Sequence, residues 1–429
     1  MMPSFPEPLR IADFRLYWIA RFSAVLATMG MVVIIGYQVY DVARTDYGMS
    51  IKEASFQIGL VGLCQFIPIA LLTPVAGWVA DRFERRTVAR VANAIDMTVA
   101  LGLGWLTYQG GLTLPVLFAF AALHGIARVF VNPAMAAIAP NIVPPKQLPQ
   151  AIAMSSIAWQ AGSVAGPALG GFLYAGHASA PYFAAAALML IAMVALTPIR
   201  RVVPPPIQGE RHPVRQMVEG VAYVRHHRFL LGAITLDLFA VLLGGATAML
   251  PVYARDILHV GTEGLGLLRA APAVGAAIVA LWYAFAPLKR NVGMKMLLSV
   301  AAFGLMTIAF GVSKSMPFSL LALALLGGFD MLSVYVRSSL VQLHTPDAMR
   351  GRVSAVSGLA ISASNELGEL QSGVAAALVG PVVAVVAGGA AAMGIAGLWS
   401  YLFPELRRAR TFDPPETALA NALMEEKPA

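Results

Sequence analysis

The sequence is poor in charge and nearly devoid of cysteine. Of its 429 residues only 12% are Asp, Glu, Lys or Arg, against about 25% in an ordinary soluble domain. That scarcity excludes a large hydrated surface. The single cysteine, Cys64, lies inside an apolar block, so internal disulfides and cysteine metal clusters are excluded and a packing thiol is expected. The seven histidines are scattered. None has an acidic or histidine partner at metal-ligand spacing, and no Gly-rich loop ending in Lys-Ser/Thr is present, so neither a metal, a cofactor nor direct use of ATP is expected. Met1 to Arg10 is polar and proline-rich, and no cleavable signal peptide is expected there.

What is abundant is apolar. Hydrophobic residues make up 58% of the chain, more than one soluble core can hide, since such cores stop growing at about 250–300 residues. They fall into blocks of roughly 20–28 residues, whereas ~20 suffice to cross the hydrocarbon core of a bilayer. The expected fold is an all-α membrane protein of twelve transmembrane helices in two six-helix halves. The spans are placed at 16–40, 55–80, 88–107, 113–136, 150–175, 181–199, 229–253, 263–286, 293–312, 317–342, 353–379 and 381–403. Proline and glycine inside them, as at Pro68, Pro74 and Pro272, mark close packing or bending rather than helix ends.

The net charge is +8, and its distribution encodes topology. Counting Lys and Arg on alternate sides places 23 on the side of the termini and 5 on the other, with Arg128 and Arg337 inside spans. By the positive-inside rule both termini are cytoplasmic and the protein is a multi-pass protein of the cell (inner) membrane. The lipid bilayer is the partner of this charge pattern, and nucleic acid is not. The long connection after span six, with Pro204-Pro205-Pro206 and six arginines, reads as a linker. The expected organisation is therefore residues 1–199 and 229–403 as the two halves, 200–228 as cytoplasmic linker, and 404–429 as a poorly ordered cytoplasmic tail. Pro145-Lys146-Gln147-Leu148 before span five has a counterpart in Pro346-Asp347-Ala348-Met349 before span eleven. Duplicated six-helix halves with a substrate path between them are a transporter architecture.

Three stretches carry motifs. After span two stands Gly77-Trp78-Val79-Ala80-Asp81-Arg82-Phe83-Glu84-Arg85-Arg86. Gly77 would admit a neighbouring helix, Asp81 could accept hydrogen bonds from another helix's N-terminal amides near Val353, and Arg82, Arg85 and Arg86 could pair with carboxylates. Span five contains Gly162-Ser163-Val164-Ala165-Gly166-Pro167-Ala168-Leu169-Gly170-Gly171, with glycines along one face. The third runs from Arg337 through Pro346 and Gly351-Arg352-Val353 to Asn365-Glu366-Leu367-Gly368-Glu369, followed by Phe403-Pro404-Glu405-Leu406-Arg407-Arg408.

The first stretch resembles the signature loop of the major facilitator superfamily, with Glu84 where a Gly is usual. The second is similar to the antiporter motif of its exporters, with Gly166-Pro167 at its centre. The third resembles the branch of that superfamily that includes a catecholate siderophore exporter. The resemblance covers all twelve spans and implies proton-driven export of a small molecule, a siderophore among the candidates, by a protein acting as a monomer. A multidrug exporter of apolar compounds is the alternative within transport. A polytopic membrane enzyme or sensor is the alternative outside it.

Ionisable residues within spans are costly and are functional candidates by default. At about 1.5 Å per residue, Arg269 in span eight and Glu369 in span eleven lie at matching depth, and Ser362, Asn365, Glu366 and Glu369 share a helix face. They form either a transport-linked charge cluster or a static strut. Asp237, near the middle of span seven, is either a proton carrier or a packing residue; Glu366 is the other candidate carrier. Arg128 and Asp330 are expected to flank the inner end of the cavity. Asp96 is expected to be structural, His124 a neutral packed histidine, and Arg337 to snorkel to the interface.

Overall fold

The structure is a computed structural model that describes residues 7–201, 213–286, 288 and 290–412, apart from a few side chains such as those of Ala80, Asp81 and Asp347. The linker residues 202–212 and the tail beyond 412 lie outside the described residues. Within them the chain is helical, with no strand. Six long helices come first: α1 (Ala12–Thr45), α2 (Ile51–Arg82), α3 (Arg85–Tyr108), α4 (Leu114–Ile142), α5 (Leu148–Gly176) and α6 (Ala180–Leu196). A short amphipathic helix, α7 (Pro213–His226), precedes six more: α8 (Arg228–Leu243), α9 (Gly261–Phe285), α10 (Val292–Gly311), α11 (Met316–Leu343), α12 (Asp347–Val379) and α13 (Pro381–Leu402). A last turn, α14, spans Pro404–Arg408. All twelve expected spans fall on these long helices, and eight of the helices are long and apolar enough by themselves to cross a membrane.

Local chemistry sets several boundaries. Ser50 and Glu53 form a reciprocal capping box that starts α2: the Glu53 amide donates to Ser50 Oγ at 3.3 Å and the Ser50 amide to Glu53 Oε2 at 2.8 Å. At the end of α12, Gly380 takes φ +92° and Pro381 opens the next helix, the glycine supplying a conformation other residues resist. The seventh long helix differs from the expected 229–253. It stops at Leu243, continues through Gly244 and Gly245 into a 3₁₀ turn (Ala246–Met249), and ends in a π-helical turn (Tyr253–Ile257).

Packing repeats itself in the two sets. α1 packs on α5 and α6, α2 on α4, and α3 on α4 and α6; in the second set α8 packs on α12, α9 on α11, and α10 on α11 and α13. Two seams join the sets, α2 against α12 and α5 against α9. We call the side bearing the start of α1 the terminal face and the other side the far face.

Two connecting segments are more structured than expected. α7 packs on the terminal end of α12, where Glu219 pairs with Arg352 at 2.8 Å. The start of the expected loose tail is tied down, the Gly293 amide donating to Ala409 O at 3.1 Å and the His344 ring bonding Phe412 O at 3.1 Å.

Candidate functional site

The α2–α12 seam is built on glycine. A Cβ on Gly62 would lie 2.6 Å from Glu366 O and 2.8 Å from Glu369 Cβ, and one on Gly373 would lie 2.6 Å from Gly59 Cα. Only glycine lets these backbones touch, and the touch brings both carboxylates of α12 to the first set of helices. There Arg128 of α4 reaches past α2. Its guanidinium donates to Gln65 Oε1 at 2.7 Å and to Glu366 Oε1 at 3.2 Å. Glu366 is buried, and so is Gln65. Glu369 faces Arg269 of α9 at 3.9 Å, and Arg269 also donates to Thr247 O at 3.1 Å. A cavity of about 30 Å³ lies among Gly36, Gln65, Thr247, Arg269 and Glu369. It holds a water or two but no organic solute.

Arg269, Glu366 and Glu369 stand together, and Arg128 joins them. Arg128 takes Glu366, because Gln65 holds its guanidinium at the seam, and Arg269 keeps Glu369. Asn365, on the same helix face by spacing, is exposed. Asp330, expected with Arg128 to flank the inner end of the cavity, lies in the second set, where it and Asp237 line a separate cavity of about 10 Å³. Arg337 does not snorkel: it is 3% exposed and ion-paired to Asp237, because the second carboxylate-lined pocket lies on its own face. Asp96 has the structural partner expected, His124 Nδ1 at 2.6 Å, both buried.

The motif after α2 works within its own set. Arg85 donates to Ala137 O at 3.1 Å, and Arg86 to Thr197 O at 2.9 Å and to Ile199 O, which places cations on the carbonyl-rich ends of α4 and α6. Glu84 pairs with Arg86 at 2.9 Å. Arg82 lies over the Trp78 ring at 5.0 Å. Among the described residues nothing stands within 4 Å of a Cβ built on Gly77. The Asp81 side chain lies outside the described residues. In α5 the close approach is present: a Cβ on Gly166 would meet Leu26 O at 2.6 Å, and a Cβ on Gly266 of α9 would meet Pro167 O at 2.8 Å.

Sequence reasoning missed a latch on the far face. Arg255 donates to Asp41 at 2.5 Å, Tyr40 to Asp256 at 2.5 Å, and Arg44 stands 3.4 Å from Asp256. Lys52 adds a bond to Leu378 O at 3.0 Å. Each links the first set to the second. The signal was available, since Asp41/Arg44 close the first helix of the first set and Arg255/Asp256 the turn that ends the corresponding span of the second, with opposite charges.

Toward the terminal face, Gly77 of α2 and Gly351 and Gly358 of α12 have nothing among the described residues within 4 Å of a built Cβ, and α7 packs on both helices there. A bundle of two six-helix sets, joined along two seams and tied together at one face by charge pairs, has the form of a membrane transporter.

The chain belongs to the major facilitator superfamily, whose family model matches residues 18–369. It is 28% identical over 411 residues to the enterobactin exporter EntS of Shigella boydii serotype 18, covering 94% of this chain and 95% of that one. The EntS protein of Escherichia coli O1:K1 / APEC matches with the same identity and coverage. Among solved structures, an inward-facing, unoccupied bacterial homologue of the human lysosomal transporter Spinster aligns with a TM-score of 0.70 at 15% identity over 93% of this chain and 99% of that one. A POT family transporter in complex with 5-aminolevulinic acid aligns with 0.71 at 13% over 92% and 97%. These structures share the fold.

Proposed function

We propose that the protein is a proton-coupled exporter of a small, polar organic solute, with a catecholate siderophore as the first candidate. In this reading residues 1–199 and 229–403 are two domains that rock about the α2–α12 and α5–α9 seams, with 200–228 as linker. The Lys/Arg bias assigns the terminal face to the cytoplasm of a cell (inner) membrane, so the present conformation receives solute from inside. The path carries Arg128, Arg269, Glu366 and Glu369, with Asn365 alongside; this charged lining favours a polar solute over the apolar compounds of a multidrug exporter. Asp81, Arg82, Arg85 and Arg86 close the cytoplasmic side in the opposite conformation, when Gly77 gains the neighbour it now lacks. Gly166 and Pro167 keep the α1–α5–α9 packing tight throughout.

The observation that carries this reading is the seam itself, with α2 and α12 in contact at Gly59 and Gly373 while Gly77 and Gly358 have no described neighbour within 4 Å of a built Cβ. Bistable packing of this kind is what alternating access requires. The test is efflux of labelled enterobactin from proteoliposomes under an imposed pH gradient. Efflux abolished by a protonophore is expected; efflux that ignores the protonophore and follows a sodium gradient refutes proton coupling. A metabolite comparison of culture medium from wild-type and deletion strains checks the solute.

A further inference from the structure

We propose that Asp330, together with Asp237, Ser333 and Arg337, forms a proton-binding site inside the second set of helices, apart from the solute path, and that this site takes up the coupling proton. The inference rests on the proton-coupled reading above and adds the place where the proton sits.

Asp330, Ser333 and Arg337 follow one another at i, i+3 and i+7 on α11, so they stand on one face of that helix. Asp237 of α8 faces them and is ion-paired to Arg337. The one guanidinium is thus paired with Asp237. Asp330 has neither a hydrogen bond nor an ion pair of its own among the described residues, and the charged groups acting on it are Asp237 and Arg337. From the packed neighbour α10 the cavity receives Val300 and Phe303, which offer it no charge. In so apolar a setting one uncompensated negative charge is unfavourable, and a proton on Asp330 removes it.

A second observation points to the same bound species. Ser333 is 2% exposed, its Oγ has no hydrogen-bond partner, and it lines the cavity with Asp237 and Asp330. Buried hydroxyls are normally satisfied. A serine one turn from a carboxyl can donate to the carboxylate and accept from the carboxylic acid, so it serves both protonation states. The cavity of about 10 Å³ has room for about one water. A sodium ion would need a shell of oxygens here, and the guanidinium of Arg337 already occupies the Asp237 side.

The site is connected to the far-face latch through one element. Asp237 stands on α8, and α8 continues past its break at Gly244 and Gly245 into the turn that carries Arg255 and Asp256. Adding or removing a proton beside the Asp237–Arg337 pair changes the electrostatics of the helix that leads to the latch. That is a route from proton occupancy to gate opening.

The test is infrared difference spectroscopy of the purified full-length protein in lipid, which reads the carbonyl stretch of a protonated carboxylic acid as pH is raised. The wild type is expected to lose such a band. Asp330→Asn is expected to lack it, Asp330→Glu to restore it with a shifted midpoint, and Ser333→Ala to shift the midpoint. Survival of the band in Asp330→Asn overturns the assignment, and so does its displacement by sodium at constant pH. If Asp330→Asn does not fold, midpoints unmoved in both Asp330→Glu and Ser333→Ala overturn it. The same preparations in proteoliposomes separate this inference from the reading it rests on. Wild-type vesicles whose enterobactin efflux ignores the pH gradient refute proton-coupled export, while the infrared band still decides the site. Coupled efflux that persists in Asp330→Asn removes Asp330 as carrier and leaves the export reading intact.

Discussion

Adding one methyl group at Gly373 should open the far face. The Cβ of Gly373→Ala would lie 2.6 Å from Gly59 Cα, 2.7 Å from Gly59 N and 2.9 Å from Ser55 O. All three are backbone atoms of α2, so no side chain can rotate away, and the helices must separate. Overpacking of this kind costs about 1–3 kcal/mol. Because the cost falls only on conformations in which α2 and α12 touch at that level, it shifts the balance by about 5–150-fold toward those in which they do not. Spin labels at Tyr47, in the connection that leads into α2, and at Val379, the last residue of α12, 48% and 52% exposed, report the change by pulsed electron paramagnetic resonance in a Cys64→Ala background. A population at longer distance should grow in Gly373→Ala. Gly394→Ala on α13, a helix of neither seam, with nothing within 4 Å of a built Cβ, should leave the distribution unchanged. A folded Gly373→Ala protein with the wild-type distribution would refute the seam as the moving contact.

Three further outcomes follow from the same geometry. Arg128→Ala leaves Glu366 buried without its cation, a loss of about 3–5 kcal/mol; a thermal-unfolding cycle with Glu366→Gln should show the double variant less destabilised than the sum of the two, and additivity would break the pair. The Arg255–Asp41 pair is a quarter to a third exposed, so Arg255→Ala should cost only about 0.2–1 kcal/mol of stability while raising alkylation of a cysteine placed at Gly36; unchanged alkylation would mean that the pair does not seal the path. Gly77→Ala should leave thermal stability as it is, yet slow efflux at equal expression as Asp81→Asn does, because its neighbour arrives only in the opposite conformation; wild-type rates in both variants would exclude the motif from gating.

The membrane class, the twelve helices and the family were legible in the sequence because each rests on one-dimensional quantities. Apolar run length is set by bilayer thickness, and the order Gly-Asp-Arg around Asp81 and Gly-Pro at Gly166 survives as a motif wherever the chain goes. The capping box at Ser50 and the stop at Gly380-Pro381 are likewise local, since their partners are at most a turn away. Charge partners were not legible. Depth along a span places Arg269 level with Glu369 but says nothing about which helices are neighbours, and so the sequence reading put Arg128 and Asp330 together at the inner end of one cavity and sent Arg337 to the interface. Only the tertiary structure brings Gln65 and Glu366 together on Arg128, turns Arg337 onto Asp237, and sets Tyr40, Asp41 and Arg44 against Arg255 and Asp256 across two hundred residues of chain. The helix break at Gly244 was hidden for the same reason. An apolar run reads the same whether or not its backbone stays helical, and a 3₁₀ or π turn is settled by what packs around it. The level at which α2 meets α12 was not in the sequence at all, because the glycines along the two helices read alike until the packing of Gly59 on Gly373 is seen.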